Sequence, residues 1–438
     1  MWGEEMRRLA LIDGEHYPPV TRWAIEKLGD VCCAVFLGGS EKIGPPEKLA
    51  EELGVRLYVD DDPMKALELA LLENEVDEVV DLSDEPVVDY SARFRIASIC
   101  LRNGVTYRGA DFEFRPGELI RPKKPTISVL GLGKRVGKTA IGGFVARVLK
   151  ERYRPVVVTM GRGGPERPEL IDGEREELTP ENLLKLAEMG KHAASDHYED
   201  ALVAGVTTIG CRRCGGGMAG FPFFHVVHEG IKLAEGLPHD IIIAEGSGAT
   251  IPPVLADGYI TVLSALQPRE TVEGFFGPFR IGLADIAVIT MADVEPRKAE
   301  EFRNFVRRVN PNADVHLVRF TPKPLGEVSG KRVALFTTSW KAIERAVGDI
   351  ESLGAEVVFA SGNLSKRPPL EGDLAELGRK AGVDAVLVEL KAAAVDVVTR
   401  WALERGIKVI YLANEPVNVD GKDLRKAVLE LARKVMGR

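Results

Sequence analysis

The stretch TISVLGLGKRVGKTA, residues 126–140, decides the fold of the central part of the chain. The apolar run at 126–130 predicts a buried strand, and Lys138 and Thr139 open a segment with helical spacing. Between them, glycines allow the tight turns in which successive backbone N–H groups point at one anion. Because a helix N-terminus next to such a loop adds its dipole, the stretch predicts a phosphate-binding site.

The glycine spacing departs from the usual phosphate-binding loop. Gly131 lies six residues before Gly137 and Gly133 lies four before it, whereas the usual first glycine lies about five before. The longer loop resembles the deviant P-loop of the dethiobiotin synthetase and cell-division ATPase group, and a chance glycine turn is the alternative. Asp293 follows a later predicted strand, where nucleotide-base contacts occur in P-loop folds. The predicted ATP-binding residues are Gly131, Gly133, Lys134, Arg135, Val136, Gly137, Lys138, Thr139, Ala140 and Asp293.

A P-loop needs an acidic partner for its metal, and the stretch HDIIIAEGSG at 239–248 offers one. Its three isoleucines predict a buried strand with Glu245 at the carboxyl end, where α/β sheets place their ligands. We predict that Lys138 reaches the terminal phosphates and that Thr139 and Glu245 hold Mg²⁺. The alternative acidic residue is Asp240, which opens the strand.

Two stretches rich in glycine and arginine predict anion binding. GRGGP at 161–165 follows a predicted strand, and CRRCGGG at 211–217 carries two adjacent arginines. Glycines let the backbone approach an anion, and guanidinium groups bind phosphate through a fork of N–H donors. Arg162, Arg212 and Arg213 are therefore candidates, while a plain turn and a flexible surface loop are the alternatives for the two stretches.

The second of these stretches also contains a cysteine pair at CxxC spacing. Cys211 and Cys214 raise zinc binding or dithiol chemistry as alternatives. A structural zinc site needs four ligands. No second CxxC lies nearby, and His225 and His228 fall in a predicted helix. The sequence therefore favours the arginines over the cysteines as the functional groups.

Two stretches that contain histidine give different predictions. DGEHYPP at 13–19 follows the first predicted strand, so Glu15 and His16 lie where small ligands usually bind. His16 could bind a phosphate or transfer a proton, and a helix-capping turn is the alternative. His192 and His197 are five residues apart, a poor fit to one helical face, which disfavours a two-histidine metal site.

Short apolar runs alternate with helical patterns along the chain, which is typical of βαβ units around a parallel sheet. The sequence predicts a central P-loop NTPase-like α/β domain with a mostly parallel sheet, flanked by N- and C-terminal Rossmann-like α/β domains. Stretches rich in Pro, Gly and charge at 115–125 and 321–326 are interpreted as links. The predicted domains are residues 1–122, 123–326 and 327–438. The predicted strands lie at 9–13, 31–37, 55–59, 78–82, 126–130, 156–159, 240–244, 259–263, 286–290, 315–318, 333–336, 356–359, 385–388 and 409–411, with the clearest helices at 138–152 and 424–435.

The composition excludes several classes of protein. The chain has 438 residues, of which 45% are hydrophobic and 28% charged, and a formal net charge of −8. This charge disfavours non-specific nucleic-acid binding, and no apolar run approaches the roughly 20 residues of a membrane helix. The N-terminus lacks the apolar region of a secretory signal, and an odd cysteine count of 5 predicts a reducing cytoplasm. Dense charge and proline in loops favour a thermophile.

Together, these motifs resemble those of the cyclic 2,3-diphosphoglycerate synthetases over nearly the whole chain. The matching stretches are LALIDGEHYPPV at 9–20, VFLGGSEKIG at 35–44, GLGKRVGKTA at 131–140, MGRGGPERPELIDG at 160–173, HAASDHYEDALVAGVTTIGCRRCGGGMAG at 192–220 and AEGSGATIPP at 244–253. The resemblance implies an enzyme that converts ATP and 2,3-diphosphoglycerate to ADP, phosphate and the cyclic pyrophosphate. It also implies Mg²⁺, K⁺ and a homodimer.

This reaction needs cations for a substrate with two phosphates and a carboxylate. The predicted substrate-binding residues are Glu15, His16, Arg162, Arg212 and Arg213. The predicted catalytic residues are Lys138, Arg162, Arg212 and Arg213. Lys134 and Arg135 are further candidates for the substrate phosphates.

Two other functions fit the P-loop. An ATP-dependent ligase of the dethiobiotin synthetase type would use the same loop and Glu245, but it does not explain two additional α/β domains or the arginine-rich stretch. A P-loop ATPase switch would bind a partner protein. Switches of the deviant class commonly carry a lysine five residues before the P-loop lysine, where this chain has Gly133.

Overall fold

The computed structural model describes residues 6–44, 46–338, 340–380 and 382–437. These residues form two compact units. The first comprises the chain up to Glu118 together with Pro268–Leu283, and the second comprises Leu119–Gln267 and the chain from Ala284 onward.

Fourteen of the described strands overlap the predicted ones, and the other five were not predicted. In chain order, the strands are β1 (Arg8–Ile12), β2 (Val31–Phe36), β3 (Arg56–Tyr58), β4 (Glu78–Asp81), β5 (Thr106–Arg108), β6 (Glu113–Phe114), β7 (Thr126–Gly131), β8 (Pro155–Gly161), β9 (Glu169–Asp172), β10 (Thr207–Gly216), β11 (Pro222–His225), β12 (Ile241–Glu245), β13 (Gly258–Ser264), β14 (Ile286–Thr290), β15 (Asp314–Pro324), β16 (Arg332–Phe336), β17 (Glu356–Ser361), β18 (Ala385–Glu389) and β19 (Lys408–Asn418). The five that were not predicted are β5, β6, β9, β10 and β11.

Helices connect most of these strands. They are α1 (Pro18–Leu28), α2 (Pro46–Leu53), α3 (Pro63–Glu73), α4 (Tyr90–Arg102), α5 (Lys138–Lys150), α6 (Pro180–Glu188), α7 (Asp196–Ala204), α8 (Val227–Gly236), α9 (Arg269–Glu273), α10 (Gly277–Gly282), α11 (Pro296–Val309), α12 (Ile343–Glu351), α13 (Arg367–Leu377), α14 (Arg400–Leu403) and α15 (Leu424–Met436), with a π-helical turn at Ala394–Thr399. Within the described residues, no helix combines the length and the apolar character needed to cross a membrane.

The first unit is built on a six-stranded sheet with the order β3-β2-β1-β4-β5-β6. β1 pairs in parallel with β2 and β4, and only β6 at the edge is antiparallel to its neighbour. Leu9, Ala10, Leu11 and Ile12 are all at most 1% exposed. A strand buried on both faces needs such a continuous apolar run.

The second unit is built on one 13-stranded sheet with the order β11-β10-β8-β12-β7-β13-β14-β15-β19-β18-β16-β17, in which β9 also pairs with β10. The strands from β10 to β14 along this path are parallel to their neighbours. β15 and β19 are long and antiparallel, and they join this part to a second parallel part. The predicted α/β class with mostly parallel sheets is confirmed. The boundaries at 122 and 326 stay a prediction, since the shared sheet joins the second and third predicted domains into one compact unit.

The stretch 321–326, interpreted as a link, is largely a strand. β15 continues to Pro324 and pairs with β19 from Val318 onward. The amide of Leu325 donates to the carbonyl of Tyr411 at 2.9 Å. In this part of the chain, the amides of odd-numbered residues therefore point toward β19. Pro322 and Pro324 therefore occupy positions whose missing N–H costs no ladder bond.

The CRRCGGG stretch is also a strand and not a surface loop. β10 covers it to Gly216, pairing in parallel with β8 and antiparallel with β11. His225, interpreted as helical, lies in β11, and only His228 lies in α8. Arginine and glycine give no apolar alternation, so the pairing partners decide this segment.

Candidate active site

The predicted phosphate-binding loop connects β7 to α5. Gly137, just before α5, has a φ of 87°, and a Cβ there would lie 2.6 Å from the ring of Phe320, so glycine is required. The hydroxyl of Thr290, which ends β14, donates to the carbonyl of Val136 at 2.8 Å. The neighbouring strands therefore fix the loop at the N-terminus of α5.

Lys138 and Glu245 form a buried ion pair beneath this loop. Nζ of Lys138 lies 2.5 Å from Oε2 of Glu245, and their side chains are 6% and 0% exposed. β12 is parallel to β7, so the carboxyl ends of both strands meet at one edge of the sheet. A Cβ at Gly142 would lie 1.7 Å from Glu245 Oε1, so this glycine in α5 makes room for the carboxylate. Oε1 is buried with no hydrogen-bond partner among the described residues, which leaves it available to a ligand.

The alternative acidic residue, Asp240, lies at the opposite end of the same strand. Its carboxylate accepts a hydrogen bond from the guanidinium of Arg154 at 2.8 Å, and its side chain is 32% exposed. Asp240 therefore ties two loops together, and Glu245 is the carboxylate that contacts the P-loop lysine.

Two further carboxyl groups are buried on α7, which packs against α5. Glu199 is 8% exposed and Asp200 is 1% exposed. Oε1 of Glu199 lies 3.2 Å from Nζ of Lys391. Both carboxylate oxygens of Asp200 lack a hydrogen-bond partner among the described residues. The buried Lys138, Glu199, Asp200 and Glu245, together with the partly exposed Lys391, are called here the buried centre, which contains more carboxyl groups than cations.

Burial and mutual repulsion perturb the titration of this buried centre. Burial raises the pKa of Asp200 well above its usual range, and the charge of Glu245 adds to the effect. Burial also raises the pKa of Glu199 to about 7, against the opposing charge of Lys391. Burial alone would lower the pKa of Lys138, but the charges of Glu245 and its acidic neighbours outweigh it and raise this pKa. Lys138 therefore stays protonated in its buried position.

The three predicted anion-binding arginines line one open cavity, called here the arginine cavity, of about 590 Å³. Arg162 follows β8 directly, and Arg212 pairs opposite Gly161 on the parallel neighbour β10. No carboxylate lines this cavity among the described residues. Its other lining residues are Cys214, Gly215, Gly216, Gly217, Ala249 and Thr250.

Arg213 connects the arginine cavity to the end of β12. Its guanidinium donates to the carbonyl and the hydroxyl oxygens of Ser247, at 3.0 and 3.1 Å. Ser247 lies two residues after Glu245. Burial lowers the pKa of Arg213, and the nearby charge of Arg162 adds to this effect. The arginine cavity therefore adjoins the loop that follows Glu245.

The two cysteines of the CxxC stretch face different surroundings. Cys211 is 1% exposed, and its Sγ lies 2.4 Å from where a Cβ of Gly230 in α8 would stand. Cys214 is exposed and lines the arginine cavity. Three residues along a strand reverse the direction of a side chain, which explains this separation.

Glu15 and His16 belong to the first unit, in the turn after β1. The buried carboxylate of Asp13 contacts Nδ1 of His16 at 2.8 Å and accepts from the amide of Glu15 at 3.0 Å. Nε2 of His16 lies 3.3 Å from the carboxylate of Asp84. These contacts fix the turn, and a role in substrate binding stays a prediction.

The remaining candidates lie within the phosphate-binding loop or after β14. Lys134 and Arg135 are exposed, and the guanidinium of Arg135 donates to the hydroxyl of Ser365 at 3.4 Å. Asp293 lies in the turn after β14 and forms an ion pair with Arg345. Contacts of these residues with a nucleotide stay a prediction.

Sequence reasoning did not select the buried carboxyl groups of α7. Glu199 and Asp200 lie within the stretch quoted above from 192 to 220. Adjacent acidic residues are usually exposed to solvent. Glu199 and Asp200 are buried because α7 packs against α5, and no local sequence pattern predicts that packing.

These features define a P-loop nucleotide-binding protein of the α/β class. Three family models, all named for cyclic 2,3-diphosphoglycerate synthetase, match successive parts of the chain. The N-terminal domain matches residues 7–115, the P-loop domain residues 126–318 and the C-terminal domain residues 324–415. The chain therefore belongs to the cyclic 2,3-diphosphoglycerate synthetase family, which confirms the predicted resemblance.

Relatives carrying this name match over nearly the full length. The cyclic 2,3-diphosphoglycerate synthetase of Thermococcus kodakarensis is 64% identical over 98% of this chain and 99% of its own length. That of Pyrococcus furiosus is 55% identical over 98% of this chain and 99% of its own length. That of Methanothermus fervidus is 47% identical over 95% of this chain and 94% of its own length. The relatives come from thermophilic archaea, in line with the predicted thermophile, and the prediction of an enzyme is confirmed.

Proposed function

We propose that this protein converts 2,3-diphosphoglycerate to cyclic 2,3-diphosphoglycerate at the expense of ATP, with release of ADP and phosphate. One observation supports this most directly: the arginine cavity adjoins the edge of the sheet that carries the P-loop. The hydrogen bond from Arg213 to Ser247 links the two. A reaction between ATP and a polyanion needs the two anion sites side by side. The names and full-length identity of the relatives support the same activity.

In this proposal the loop from Gly131 to Ala140 binds the ATP phosphates, with Asp293 toward the base. Lys138 begins α5 and has one buried carboxylate partner. When ATP binds, its triphosphate replaces Glu245 as the partner of the Lys138 ammonium group and stabilises the positive charge. Charge stabilisation of this kind provides most of the catalysis in phosphoryl transfer.

Mg²⁺ fits the same edge of the sheet. Glu245 keeps one buried oxygen without a partner among the described residues, and Thr139 adds a hydroxyl one residue after the P-loop lysine. Oxygen ligands are the ones that Mg²⁺ prefers. We assign these two residues to hold Mg²⁺, which when bound offsets the negative charge of the phosphates; K⁺ is proposed as a further ion.

Arg162, Arg212 and Arg213 are proposed to bind the substrate phosphates. The arginine cavity concentrates three cations without a described carboxylate to neutralise them, so it favours an anionic ligand. Glu15 and His16 of the first unit stay proposed as further substrate contacts.

The chemistry follows from charge balance. One phosphate oxygen of the substrate attacks the γ-phosphorus of ATP, and the bond from that phosphorus to ADP breaks. The second substrate phosphate then attacks the phosphorus of the first, and inorganic phosphate leaves with the bridging oxygen. Arginines hold the two like-charged groups together, and exclusion of water prevents hydrolysis of the activated phosphate.

This order of steps is testable with oxygen isotopes. Substrate labelled with ¹⁸O in its phosphate groups is expected to yield inorganic phosphate that carries one labelled oxygen. Mass spectrometry of the released phosphate measures this. Released phosphate without any label would exclude the two-step order.

The activity itself is tested by ³¹P NMR on the purified protein with ATP, Mg²⁺ and 2,3-diphosphoglycerate. We expect a pair of coupled pyrophosphate signals that belong to neither ATP nor ADP. Loss of ATP with 2,3-diphosphoglycerate unchanged would reject the proposal and favour an ATPase switch.

We also propose a homodimer in the cytoplasm, as the family resemblance implies. Light scattering on the purified chain is expected to give about twice the mass of 47.8 kDa. A monomeric mass at assay concentrations would exclude the dimer.

A further inference from the structure

A second cavity adjoins the arginine cavity. It has a volume of about 640 Å³, and Arg162 and Arg212 line both cavities. The second cavity, called here the lysine lobe, extends along the turn after β8 and the segment before α7. Its distinguishing side chains are those of Arg167, Lys191 and His192.

The lysine lobe carries an excess of positive charge. Its described lining residues include four cationic side chains, those of Arg162, Arg167, Lys191 and Arg212, against the one carboxylate of Glu169. Arg162, Arg167, Lys191 and Arg212 are exposed to solvent. Such a concave cluster of cations raises the local concentration of anions.

The one carboxylate of the lysine lobe is already neutralised. Glu169 forms an ion pair with Lys191, and its other oxygen lies 3.3 Å from Nε2 of the buried His197. The hydrogen bond with His197, together with Lys191, lowers the pKa of Glu169 to about 2. The hydroxyl of Ser195 contacts Nδ1 of His197 at 2.9 Å, which fixes the ring. Glu169 therefore anchors Lys191 at the lobe and leaves the arginines free to bind an anion.

Arg162 and Arg212 stand between the two cavities. The Nε of Arg212 donates to the carbonyl of Gly164 at 3.0 Å, which anchors the side chain on the turn after β8. Guanidinium groups at this boundary can contact an anion on either side. The lysine lobe and the arginine cavity are thus neighbouring parts of one binding site, and they share Arg162 and Arg212.

We infer that the lysine lobe binds one phosphate of the bisphosphate substrate while the arginine cavity binds the other. This inference rests on the function proposed above and adds Arg167 and Lys191 as residues that select a substrate with two phosphates. Ring closure brings two like-charged groups into bonding distance. Arg162 and Arg212 lie at the boundary where the new P–O–P bridge forms, so they offset the repulsion at that point.

The test compares two ligands in four proteins and in a fifth, charge-preserving variant, Arg167→Lys. Isothermal titration measures the affinity for 2,3-diphosphoglycerate and for 3-phosphoglycerate at one fixed salt concentration. The proteins are the wild type, Arg167→Ala, Lys191→Ala and the control Arg175→Ala. Arg175 lines neither cavity, and its side chain is 87% exposed.

We expect the two lobe variants to bind 2,3-diphosphoglycerate about 10- to 100-fold more weakly, because Arg167→Ala loses a charged hydrogen bond and Lys191→Ala also leaves the carboxylate of Glu169 without its lysine partner beside the phosphate. Their affinity for 3-phosphoglycerate is expected to change by less than about threefold, because one phosphate still fits the arginine cavity. The ratio of the affinity for 2,3-diphosphoglycerate to that for 3-phosphoglycerate therefore falls in the two lobe variants and stays unchanged in Arg175→Ala. Arg167→Lys is expected to restore part of the preference, since it keeps the charge.

Two outcomes would overturn the inference. An unchanged preference in both lobe variants excludes a phosphate in the lysine lobe, and an equal loss for both ligands excludes selection of the second phosphate. Formation of the cyclic product by the wild type is measured separately. If the wild type makes the cyclic product and the variants still prefer 2,3-diphosphoglycerate over 3-phosphoglycerate, only the role of the lysine lobe is rejected. If the wild type makes no product, the proposed function is rejected.

Discussion

The buried centre and the arginine cavity use charge in opposite ways. In the buried centre, Lys138 already has a carboxylate partner at 2.5 Å, and further carboxyl groups surround the pair. In the arginine cavity, Arg162 and Arg212 are exposed and no described carboxylate faces them. The centre pairs each of its lysines with a carboxylate of the protein, whereas the arginine cavity leaves its cations available to an anionic ligand.

This difference has consequences for stability. Burying ionisable groups costs free energy unless they are paired, and their pKa values shift as a result. Exposed arginines cost little and are screened by salt. Substitutions in the buried centre should therefore change both stability and activity, and substitutions of the exposed Arg162 and Arg212 should change activity alone.

The largest effect is expected for Lys138→Ala. The variant loses the cation at the transferring phosphate, so kcat/KM should fall by about a thousandfold or more. It also leaves Glu245 buried without its partner, which should cost about 3 to 5 kcal/mol of unfolding free energy. Steady-state assays and denaturant unfolding measure the two effects.

A double variant separates these effects. Lys138→Ala with Glu245→Gln removes both charges, so it should recover much of the lost stability without recovering activity. If Lys138→Ala kept its stability and its turnover, the P-loop would not bind the nucleotide as proposed.

The second largest effect is expected for Glu199→Gln as a function of pH. Burial raises the pKa of Glu199 from its ordinary 4.5 to about 7 in the folded protein. The folded state thus favours the protonated carboxyl, so this contribution to stability is complete below pH 4.5 and is lost as pH rises to 7. Since each pKa unit is worth about 1.4 kcal/mol, Glu199→Gln should gain about 3 kcal/mol relative to the wild type across this range. Equal slopes of unfolding free energy against pH in both proteins would contradict the shift.

The P-loop edge could be predicted from the sequence because its signals are local. An apolar run, glycines and a lysine define β7, the loop and α5 within 126–140. Lys138 and Glu245 are far apart in sequence, yet both follow buried parallel strands, whose carboxyl ends meet at one edge of the sheet. Their placement at one edge therefore followed from topology, whereas their ion pair was not predicted.

The surroundings of this edge could not be predicted in the same way. Asp200 turns inward only because α7 packs on α5, and the lysine lobe assembles from β8, the segment before α7 and β10. The sequence of β10 is typical of a loop, because its arginines and glycines give no apolar pattern that would predict its pairing with β8. The extension of β15 through Pro324 is similar, because only the antiparallel partner β19 shows that prolines are tolerated there.

A smaller effect is expected in the arginine cavity for Gly216→Val. A Cβ at Gly216 would lie 2.6 Å from the hydroxyl of Thr250 and 3.6 Å from Nη1 of Arg213. A larger side chain therefore narrows the cavity, and KM for 2,3-diphosphoglycerate should rise about tenfold, or about 1.4 kcal/mol, with KM for ATP unchanged. Initial-rate measurements with each substrate varied in turn test this.

Thr250→Ala provides the matched partner for that variant. It removes the hydroxyl that the new side chain meets, so the double variant should recover part of the affinity for 2,3-diphosphoglycerate. A rise in KM for ATP equal to that for 2,3-diphosphoglycerate would show that the cavity does not distinguish the two ligands.

The smallest effect is expected for Arg147→Ala, which tests a charge pair outside both regions. Nη2 of Arg147 in α5 lies 2.5 Å from Oε2 of Glu415 in β19, with side chains 20% and 29% exposed. The pair is partly solvated, so its loss should lower the unfolding free energy by only about 1 kcal/mol. Turnover at a fixed temperature should stay within about twofold of the wild type, since neither residue lines a cavity described here. A large loss of turnover would instead mean that the contact between α5 and β19 positions the P-loop, and the contrast between the buried centre and the arginine cavity would then have to include this contact.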